Sequence, residues 1–260
     1  MISSSDTPTR DPRSAPTTPS SVDAAEVAHF EALAAEWWDP DGRFRPLHRF
    51  NPERVRFVRD HVAAHFGRDP ATARVLDGLS LLDIGTGGGL VAEPMARLGA
   101  TVTGIDPAEK NIGTARAHAA QMGLDVTYRT ATAEALAAEG ARFDVVLALE
   151  VVEHVADLGT FLDAAAALVA PGGAFVAATL NRTLRSYLMA IIGAEYVMRW
   201  LPVGTHDWNK FLTPGELAEA IAASGLAVRE TAGMVYNPLS GRWRLGTDTG
   251  VNYLIFAVKE

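Results

Sequence analysis

The chain has 260 residues, of which 48% are hydrophobic and 21% charged, and its formal net charge is −8. This length suffices for one α/β domain with a full core, and an acidic chain without runs of Lys or Arg argues against nucleic acid as the main partner. Cys is absent, which excludes disulfides, thiolate metal sites and a Cys nucleophile.

Residues 1–22 contain fourteen Ser, Thr or Pro, and we predict that this segment is disordered because it cannot bury enough apolar surface. It has no apolar core of a signal peptide, and its two Asp and four Pro fit poorly with a transit sequence. No apolar stretch of the chain approaches the roughly 20 residues that span a bilayer. We therefore expect an intracellular, cytoplasmic protein that is not integral to a membrane.

Two helices are predicted in residues 23–78, which we interpret as a helical cap of a single domain 23–260. The first begins at Asp23 and has one apolar face, formed by Val27, Phe30, Leu33, Ala34 and Trp37. The second is predicted to begin near Asn51 and Pro52, an N-cap followed by proline at the first helical position.

Strands alternate with helices after Gly78. The predicted strands are 79–85, 100–106, 125–131, 143–149 and 174–180, and the predicted helices are 89–99, 107–123, 155–173 and 213–225. This alternation predicts a mostly parallel sheet with right-handed crossovers. The stretches 226–236 and 251–259 have only a turn-rich loop between them, so we expect an antiparallel pair at the sheet edge.

A glycine-rich loop, "LLDIGTGGGL" (81–90), joins the first strand to its helix. The pattern G-x-G-x-x-G fails from Gly85 because Leu90 stands in third place, although a register shifted to Gly87 fits the looser dinucleotide form. Asp106 ends the second strand, where a carboxylate can bind both hydroxyls of a ribose. The pattern predicts an adenosine-containing ligand, either NAD or S-adenosylmethionine; glycines that only form a tight turn are the plainer alternative.

Three ionisable residues, Glu150, Glu153 and His154, directly follow the strand 143–149. Their spacing would place them on one face of a helix. Acidic residues near a helix N-terminus and an ordinary hydrogen-bonded histidine would explain them without any function. The alternatives are a site for a hard cation such as Mg²⁺ in the crevice at the strand ends, or a general base at His154.

Several motifs together resemble a known family. "DIGTGGG", "GID" and the "PGG" before the fifth strand resemble class I S-adenosylmethionine-dependent methyltransferases. More narrowly, the chain from about Ala28 to its C-terminus resembles the ubiquinone-biosynthesis O-methyltransferase family through "FEALAAEWWDPDGRFRPLHRFNPERVRFV" (30–58), "LALEVVEHV" (147–155), "TLNRT" (179–183) and "GAEYVMRWLPVGTHDWNKFL" (193–212). Thr86 departs from some relatives, which have cysteine there.

The resemblance implies a Rossmann-like α/β fold, with a seven-stranded, mostly parallel sheet whose last strand is antiparallel and with helices on both faces. It implies that S-adenosylmethionine is the methyl donor and that the substrates are polyprenyl catechol intermediates and 3-demethylubiquinol. The residues it assigns to the cofactor are Arg54, Gly85, Asp106 and Leu149, with Gly87 in the same loop. For Arg54, a solvated helix cation is the alternative. It also implies that the catalytic side chains Glu150, Glu153 and His154 bind Mg²⁺.

Other functions are compatible with parts of the pattern. A methyltransferase acting on RNA, DNA or protein is disfavoured because "EVVEH" stands where amino-group methylation commonly uses an Asn- or Asp-Pro-Pro-aromatic loop. A nicotinamide-dependent dehydrogenase would use the shifted glycine register, and a non-catalytic adenosine-binding module would not need "EVVEH". A methyltransferase of another small hydroxylated aromatic is the fourth alternative.

The insertion 182–211 is predicted to be a lid or a membrane-interface segment. It lies between the fifth strand and the helix 213–225, and cations and aromatic residues accompany its apolar positions. The apolar positions are Leu184, Leu188, Ile191, Ile192, Tyr196, Val197, Trp200 and Leu201; the cations are Arg185, Arg199 and Lys210; the interface aromatics are Tyr187, Trp200 and Trp208. This combination of residues predicts that the protein associates peripherally with an anionic membrane surface, on the inner face of the membrane.

Overall fold

The computed structural model describes residues 20–186, 208–237 and 241–260. The helices are α1 Ala24–Ala32, α2 Arg45–His65, α3 Ala92–Arg97, α4 Glu109–Gln121, α5 Ala133–Ala138, α6 Leu158–Leu168, α7 Leu184–Ser186 and α8 Pro214–Ala223, with short 3₁₀ helices at Ala34–Glu36 and Trp208–Lys210. The strands are β1 Ser80–Ile84, β2 Thr101–Asp106, β3 Val126–Thr130, β4 Phe143–Leu149, β5 Val169–Leu180, β6 Ala227–Asn237, β7 Arg242–Gly246 and β8 Asn252–Val258. The predictions for 1–19 and for most of the insertion, 187–207, lie outside the described residues.

The strands form one sheet in the order β3-β2-β1-β4-β5-β8-β6-β7. Pairing is parallel from β3 to β5, and β8 is antiparallel to both β5 and β6. The predicted α/β sheet with an antiparallel last strand is confirmed. The chain moves outward from β1 to β3 and then returns to the other side of β1 with β4, so the crevice between β1 and β4 is the topological switch point where such sheets bind ligands.

The C-terminal edge of the sheet differs from the prediction in one respect. The predicted antiparallel pair of the stretches 226–236 and 251–259 is confirmed as β6 and β8, but β7 adds an eighth strand outside it, within the stretch predicted as a loop. Trp243 of β7 packs against Phe50 of α2 at 5.4 Å between ring centroids and against Tyr236 of β6 at 5.2 Å. This long-range aromatic packing stabilises a strand whose neighbouring turn residues obscure it in the sequence.

Helices cover both faces of the sheet, as predicted. Alternate residues of each strand point into two apolar clusters, since Leu81 and Val145 belong to one cluster and Leu82 and Val146 to the other. The first cluster includes residues of α2, α3 and α4, and the second includes residues of α5, α6 and α8. Within the described residues, no helix combines the length and apolarity that crossing a bilayer requires.

Helix α2 is longer than predicted. It begins at Arg45, with Pro46 in its first turn, and continues through Pro52. A proline in a helix interior removes one backbone hydrogen bond, but Phe57, Val58 and other residues of this helix are buried against the sheet. Burial therefore decides the extent of the helix. The predicted cap packs into the main core from Leu47 onward, whereas Leu33, Ala34, Trp37 and Phe44 form a separate cluster with Leu90.

Candidate active site

Three strand ends meet at one cleft. Gly85 follows β1, Asp106 ends β2, and Glu150 follows β4; the register brings the ends level, because Ile84 lies opposite both Ile105 and Ala148. Gly85, Asp106, Glu150 and His154 all line this cleft. The structure therefore brings together two of the predicted cofactor residues, Gly85 and Asp106, and two of the three ionisable residues of "EVVEH".

The glycine loop has backbone angles that favour glycine. Gly85 has φ +68° and Gly87 has φ +52°. A Cβ atom at Gly85 would lie 2.5 Å from Val151 Cγ2, and one at Gly87 would lie 2.4 Å from the Trp37 ring. Close packing within the protein thus already requires both glycines, and their contact with a ligand stays a prediction.

Asp106 is held by three hydrogen-bond donors. The amide of Gly87 donates to Oδ2 (3.0 Å), while the amide of Ala108 (2.8 Å) and Nδ2 of Asn111 (3.3 Å) donate to Oδ1. Burial raises the pKa of this carboxyl, and the three hydrogen bonds oppose the shift. The carboxylate therefore links the glycine loop to the start of α4 in a fixed orientation.

Asp83, near the end of β1 and ahead of the first glycine, is buried. The Thr86 hydroxyl donates to Asp83 Oδ2 at 2.7 Å. Burial raises the pKa of Asp83 to about 7, although the Thr86 hydrogen bond and the charge of Arg54 lower it. This side chain stabilises the turn that follows β1.

Arg54 is buried and paired with Glu150. Its side chain is 4% exposed, and its Nη2 lies 2.5 Å from Glu150 Oε1. Its guanidinium lies over the Phe50 ring, 4.2 Å from the centroid. The alternative of a solvated helix cation is wrong, and the structure links a predicted cofactor residue directly to a predicted catalytic one.

"EVVEH" is a turn rather than a helix. Residues 150–157 are irregular and α6 begins only at Leu158, so the expectation of a single helix face is wrong. Glu150 has φ +57° and is the sole non-glycine residue with positive φ in the described part of the chain. The turn places Glu150 and His154 in the cleft wall, whereas Glu153 is buried.

His154 is paired with a residue of α1. Its Nδ1 lies 3.1 Å from Glu26 Oε2, and Lys210 Nζ lies 3.2 Å from Glu26 Oε1 and 3.2 Å from Asp23 Oδ2. Burial lowers the pKa of His154, but the hydrogen bond to Glu26 and the charges of Glu153, Glu26 and Glu150 outweigh it, so the net shift is upward. The sequence contains no local signal for Glu26 as a site residue, because its partner His154 is distant in the chain.

The predicted Mg²⁺ ligands do not converge in this arrangement. Glu150 faces Arg54, His154 faces Glu26, and burial together with the charge of Glu150 raises the pKa of Glu153 to about 7. Across residues 20–186, 208–237 and 241–260, no group of three or more His, Asp or Glu side chains is placed to hold a metal ion. The described geometry therefore does not fit the predicted metal site.

Leu149 ends β4 and packs in the first apolar cluster rather than along the cleft. Its contact with the cofactor stays a prediction.

The segment before α1 lies across the cleft, although the sequence predicted disorder through Val22. Ser21 N donates to Glu134 Oε1 (3.0 Å), Ala156 N donates to Ser21 O (2.7 Å), and Val22 pairs with Val155 as an isolated bridge. Ordered structure therefore begins before Asp23. Its Ser- and Pro-rich sequence contains no signal for these contacts.

The fold and the cleft define an S-adenosylmethionine-dependent methyltransferase. A family model described as a methyltransferase domain matches residues 47–231. Magnesium protoporphyrin IX methyltransferase from Synechocystis PCC 6803, solved with bound SAH, has the same fold, with a TM-score of 0.61, 21% identity, and coverage of 90% of this chain and 95% of that chain.

More similar proteins identify the family. "Ubiquinone biosynthesis O-methyltransferase" from Methylobacterium nodulans is 60% identical over 93% of this chain and 97% of its own length. The protein of the same name from Caulobacter vibrioides is 57% identical over 92% and 96%. The chain belongs to the ubiquinone biosynthesis O-methyltransferase family, as its motifs predicted. The alternative of a nicotinamide-dependent dehydrogenase is therefore wrong.

Proposed function

We propose that this enzyme transfers the methyl group of S-adenosylmethionine to a phenolic oxygen of polyprenyl catechol intermediates and of 3-demethylubiquinol. The observation that supports the proposal is that Glu150 and His154 share one cleft with Gly85 and Asp106. Groups able to accept a proton thus face the same space as the groups suited to an adenosine cofactor. The names of the relatives support the choice of substrate.

Each predicted cofactor residue has a role that its position permits. Asp106 accepts hydrogen bonds from the ribose hydroxyls, Gly85 and Gly87 let the backbone approach the ligand, and Leu149 supports the adenosine site from the apolar cluster behind it. Arg54 binds the carboxylate of the methionine moiety. Arg54 is paired with Glu150, so the carboxylate of the methionine moiety takes the place of the Glu150 carboxylate beside the guanidinium.

The chemistry requires alignment and removal of one proton. The phenolic oxygen attacks the methyl carbon, the bond from carbon to sulfur breaks, and the sulfonium becomes a neutral thioether. A phenol has a pKa of about 10, as tyrosine does, so its proton must be accepted during the reaction. His154 accepts it through Nε2, because Nδ1 is engaged with Glu26. The charges of Glu153 and Glu150 raise the pKa of the imidazole, which favours its accepting the proton.

Binding of Mg²⁺ by Glu150, Glu153 and His154 stays a prediction, and no step above depends on it. It is tested by thorough removal of divalent ions with EDTA, followed by assays with and without added Mg²⁺. Full activity after chelation would exclude the metal and leave His154 as the base. Loss of activity that Mg²⁺ restores, with unchanged binding of S-adenosylmethionine, would support the metal.

We propose peripheral membrane association through the insertion 182–211, on the basis of its apolar and aromatic sequence. The expected result is co-sedimentation with anionic liposomes, which replacement of Ile191, Ile192 and Trp200 by polar residues abolishes without loss of cofactor binding. Equal sedimentation of the triple variant would contradict this role.

The substrate is tested with purified enzyme, S-adenosylmethionine and three acceptors: a prenylated catechol, catechol without a prenyl tail, and RNA. We expect O-methylation of the prenylated compound, detected by mass spectrometry, at higher kcat/KM than that of bare catechol. Equal efficiency with both would favour a broader hydroxylated-aromatic substrate class, and methylated RNA would contradict the proposal. Accumulation of unmethylated quinone intermediates after deletion of the gene in its host supplies an independent readout.

A further inference from the structure

Two side chains outside the predicted site, Trp37 and Asn111, form a series of hydrogen bonds that ends at Asp106. Asn111, in the first turn of α4, donates from Nδ2 to Asp106 Oδ1 at 3.3 Å. Its own Oδ1 accepts a hydrogen bond from Trp37 Nε1 at 2.9 Å. Trp37, Asn111 and Asp106 are 8%, 1% and 7% exposed, and all three line the cleft.

Trp37 also packs on the glycine loop. Its ring stacks on Phe44 with 3.8 Å between centroids. A Cβ atom at Gly87 would lie 2.4 Å from the Trp37 ring, and one at Gly88 would lie 2.4 Å from Trp37 Cβ. One side chain therefore covers the glycine loop and holds the amide that orients Asp106.

The series connects two parts of the chain. Trp37 precedes residues 47–231, which match the methyltransferase domain, whereas Asn111 and Asp106 lie within them. A buried amide oxygen needs a donor, because leaving it unpaired has a desolvation cost. Trp37 supplies this donor from the N-terminal segment.

The three donors to Asp106 have different origins. Gly87 and Ala108 donate from the backbone, so changes of side chain leave those hydrogen bonds in place. Asn111 is the side chain that fixes the carboxylate, and Trp37 in turn fixes which way the amide of Asn111 points. A carboxylate held in one orientation loses less freedom when two hydroxyls bind it.

We infer that Asn111 and Trp37 are positioning residues for the carboxylate that binds the ribose, so that the N-terminal segment completes the cofactor site. The inference rests on the ribose role proposed above for Asp106. It implies that a cofactor with both ribose hydroxyls is selected over one that lacks a hydroxyl, and that this selection depends on the two side chains.

The test measures binding of S-adenosylhomocysteine and of its 2′-deoxy analogue to the full chain by isothermal titration calorimetry. We expect the wild-type protein to bind the ribose form at least about tenfold more tightly, which corresponds to one hydrogen bond to a charged group. In Asn111→Leu and Trp37→Phe, this ratio should fall toward that of Asp106→Ala. Affinity for the deoxy analogue, which keeps the 3′-hydroxyl, should fall by a smaller factor than affinity for the ribose form.

Trp38→Phe is the matched control. The Trp38 indole donates from Nε1 to Gly88 O at 2.8 Å and stacks on His118 at 3.5 Å, so this variant also removes an indole hydrogen bond from the glycine loop. Trp38 has no described hydrogen bond to Asn111 or Asp106. The control should retain the wild-type ratio between the two ligands.

Asn111→Asp separates the two halves of the series. It keeps the size of the side chain and the acceptor for Trp37 but replaces the donor to Asp106, and the ratio should fall here too. This variant and Trp37→Phe decide the question if Asn111→Leu does not fold.

Different results would contradict the inference, the ribose role of Asp106 and the cofactor assignment. A wild-type ratio in folded Asn111→Leu, or in Asn111→Asp and Trp37→Phe, would overturn the inference. So would equal weakening of both ligands, because it would indicate general damage to the cleft. No discrimination by the wild-type protein would instead show that the ribose role of Asp106 is wrong, and no binding of either ligand would contradict the cofactor assignment itself.

Discussion

Asp83 makes the stability of the protein depend on pH. Its folded pKa of about 7 lies above the ordinary value of 3.8, so the native state binds the proton more tightly than the unfolded state does. The contribution of this group to stability is therefore greatest at low pH, and it is lost as the pH rises from about 4 to about 7. Above that window the buried carboxylate is charged and its contribution no longer changes.

We expect Asp83→Asn to raise the melting temperature relative to wild type at pH 8 and to change it less at pH 5. The asparagine retains an oxygen that can accept the Thr86 hydrogen bond but has no charge to desolvate. Thermal unfolding across this range measures the effect. Asp77→Asn is the control, because that carboxylate is exposed. A pH-independent difference between Asp83→Asn and wild type would contradict the raised pKa.

Asp106 has the strongest expected effect on the cofactor. Asp106→Ala should weaken S-adenosylmethionine binding by roughly tenfold to a hundredfold, because charged hydrogen bonds to the ribose are lost. It also removes the link between Gly87 and Ala108. Calorimetry gives the affinity, and circular dichroism checks the fold. Unchanged affinity in a folded variant would place the ribose elsewhere.

At the scale of elements, α1 is joined to the rest of the molecule by polar contacts and by the Phe30 ring, which packs beside Trp37 and His154. None of its residues is fully buried, and Glu26 links it to His154 and Lys210. Such an element opens at lower free energy than a core helix. In hydrogen-exchange mass spectrometry, α1 should therefore exchange faster than α2.

Glu26→Gln should accelerate exchange further in α1 and in the turn 150–156, because it weakens both charged contacts. Glu36→Gln is a matched control, since Glu36 pairs with Arg43 outside this network. If α1 and α2 were equally protected from hydrogen exchange, in the wild type and in the variant, polar contacts would not limit the opening of α1. Lower kcat in Glu26→Gln with unchanged cofactor affinity would support the pairing with His154 proposed above.

At the scale of the whole molecule, the helical segment 23–78 belongs to the main core through α2. Phe57 of α2 is almost fully buried in the cluster that includes β1, β4 and β8. Phe57→Ala should lower the free energy of unfolding by about 3–5 kcal/mol, in one cooperative transition. Phe66→Ala, at a partly buried position, should have a smaller effect. A separate early transition, with the sheet unaffected, would show that the segment is an independent cap.

The sequence by itself determined the alternating strands and helices and the positions of Gly85, Asp106 and Glu150 at strand ends. These features depend on local periodicity and on the rule that parallel strands end at one edge of a sheet. For the same reason the cleft could be located from the sequence, and the family resemblance named the chemistry.

Only the tertiary structure decided which partner each charged or polar group takes. Arg54 meets Glu150, His154 meets Glu26, and Trp37 reaches Asp106 through Asn111, across long separations in sequence. The start of α2 and the presence of β7 were likewise settled by burial against distant residues. Local propensity is weak beside such packing, since a buried charge or amide takes whichever partner the fold brings within hydrogen-bonding distance.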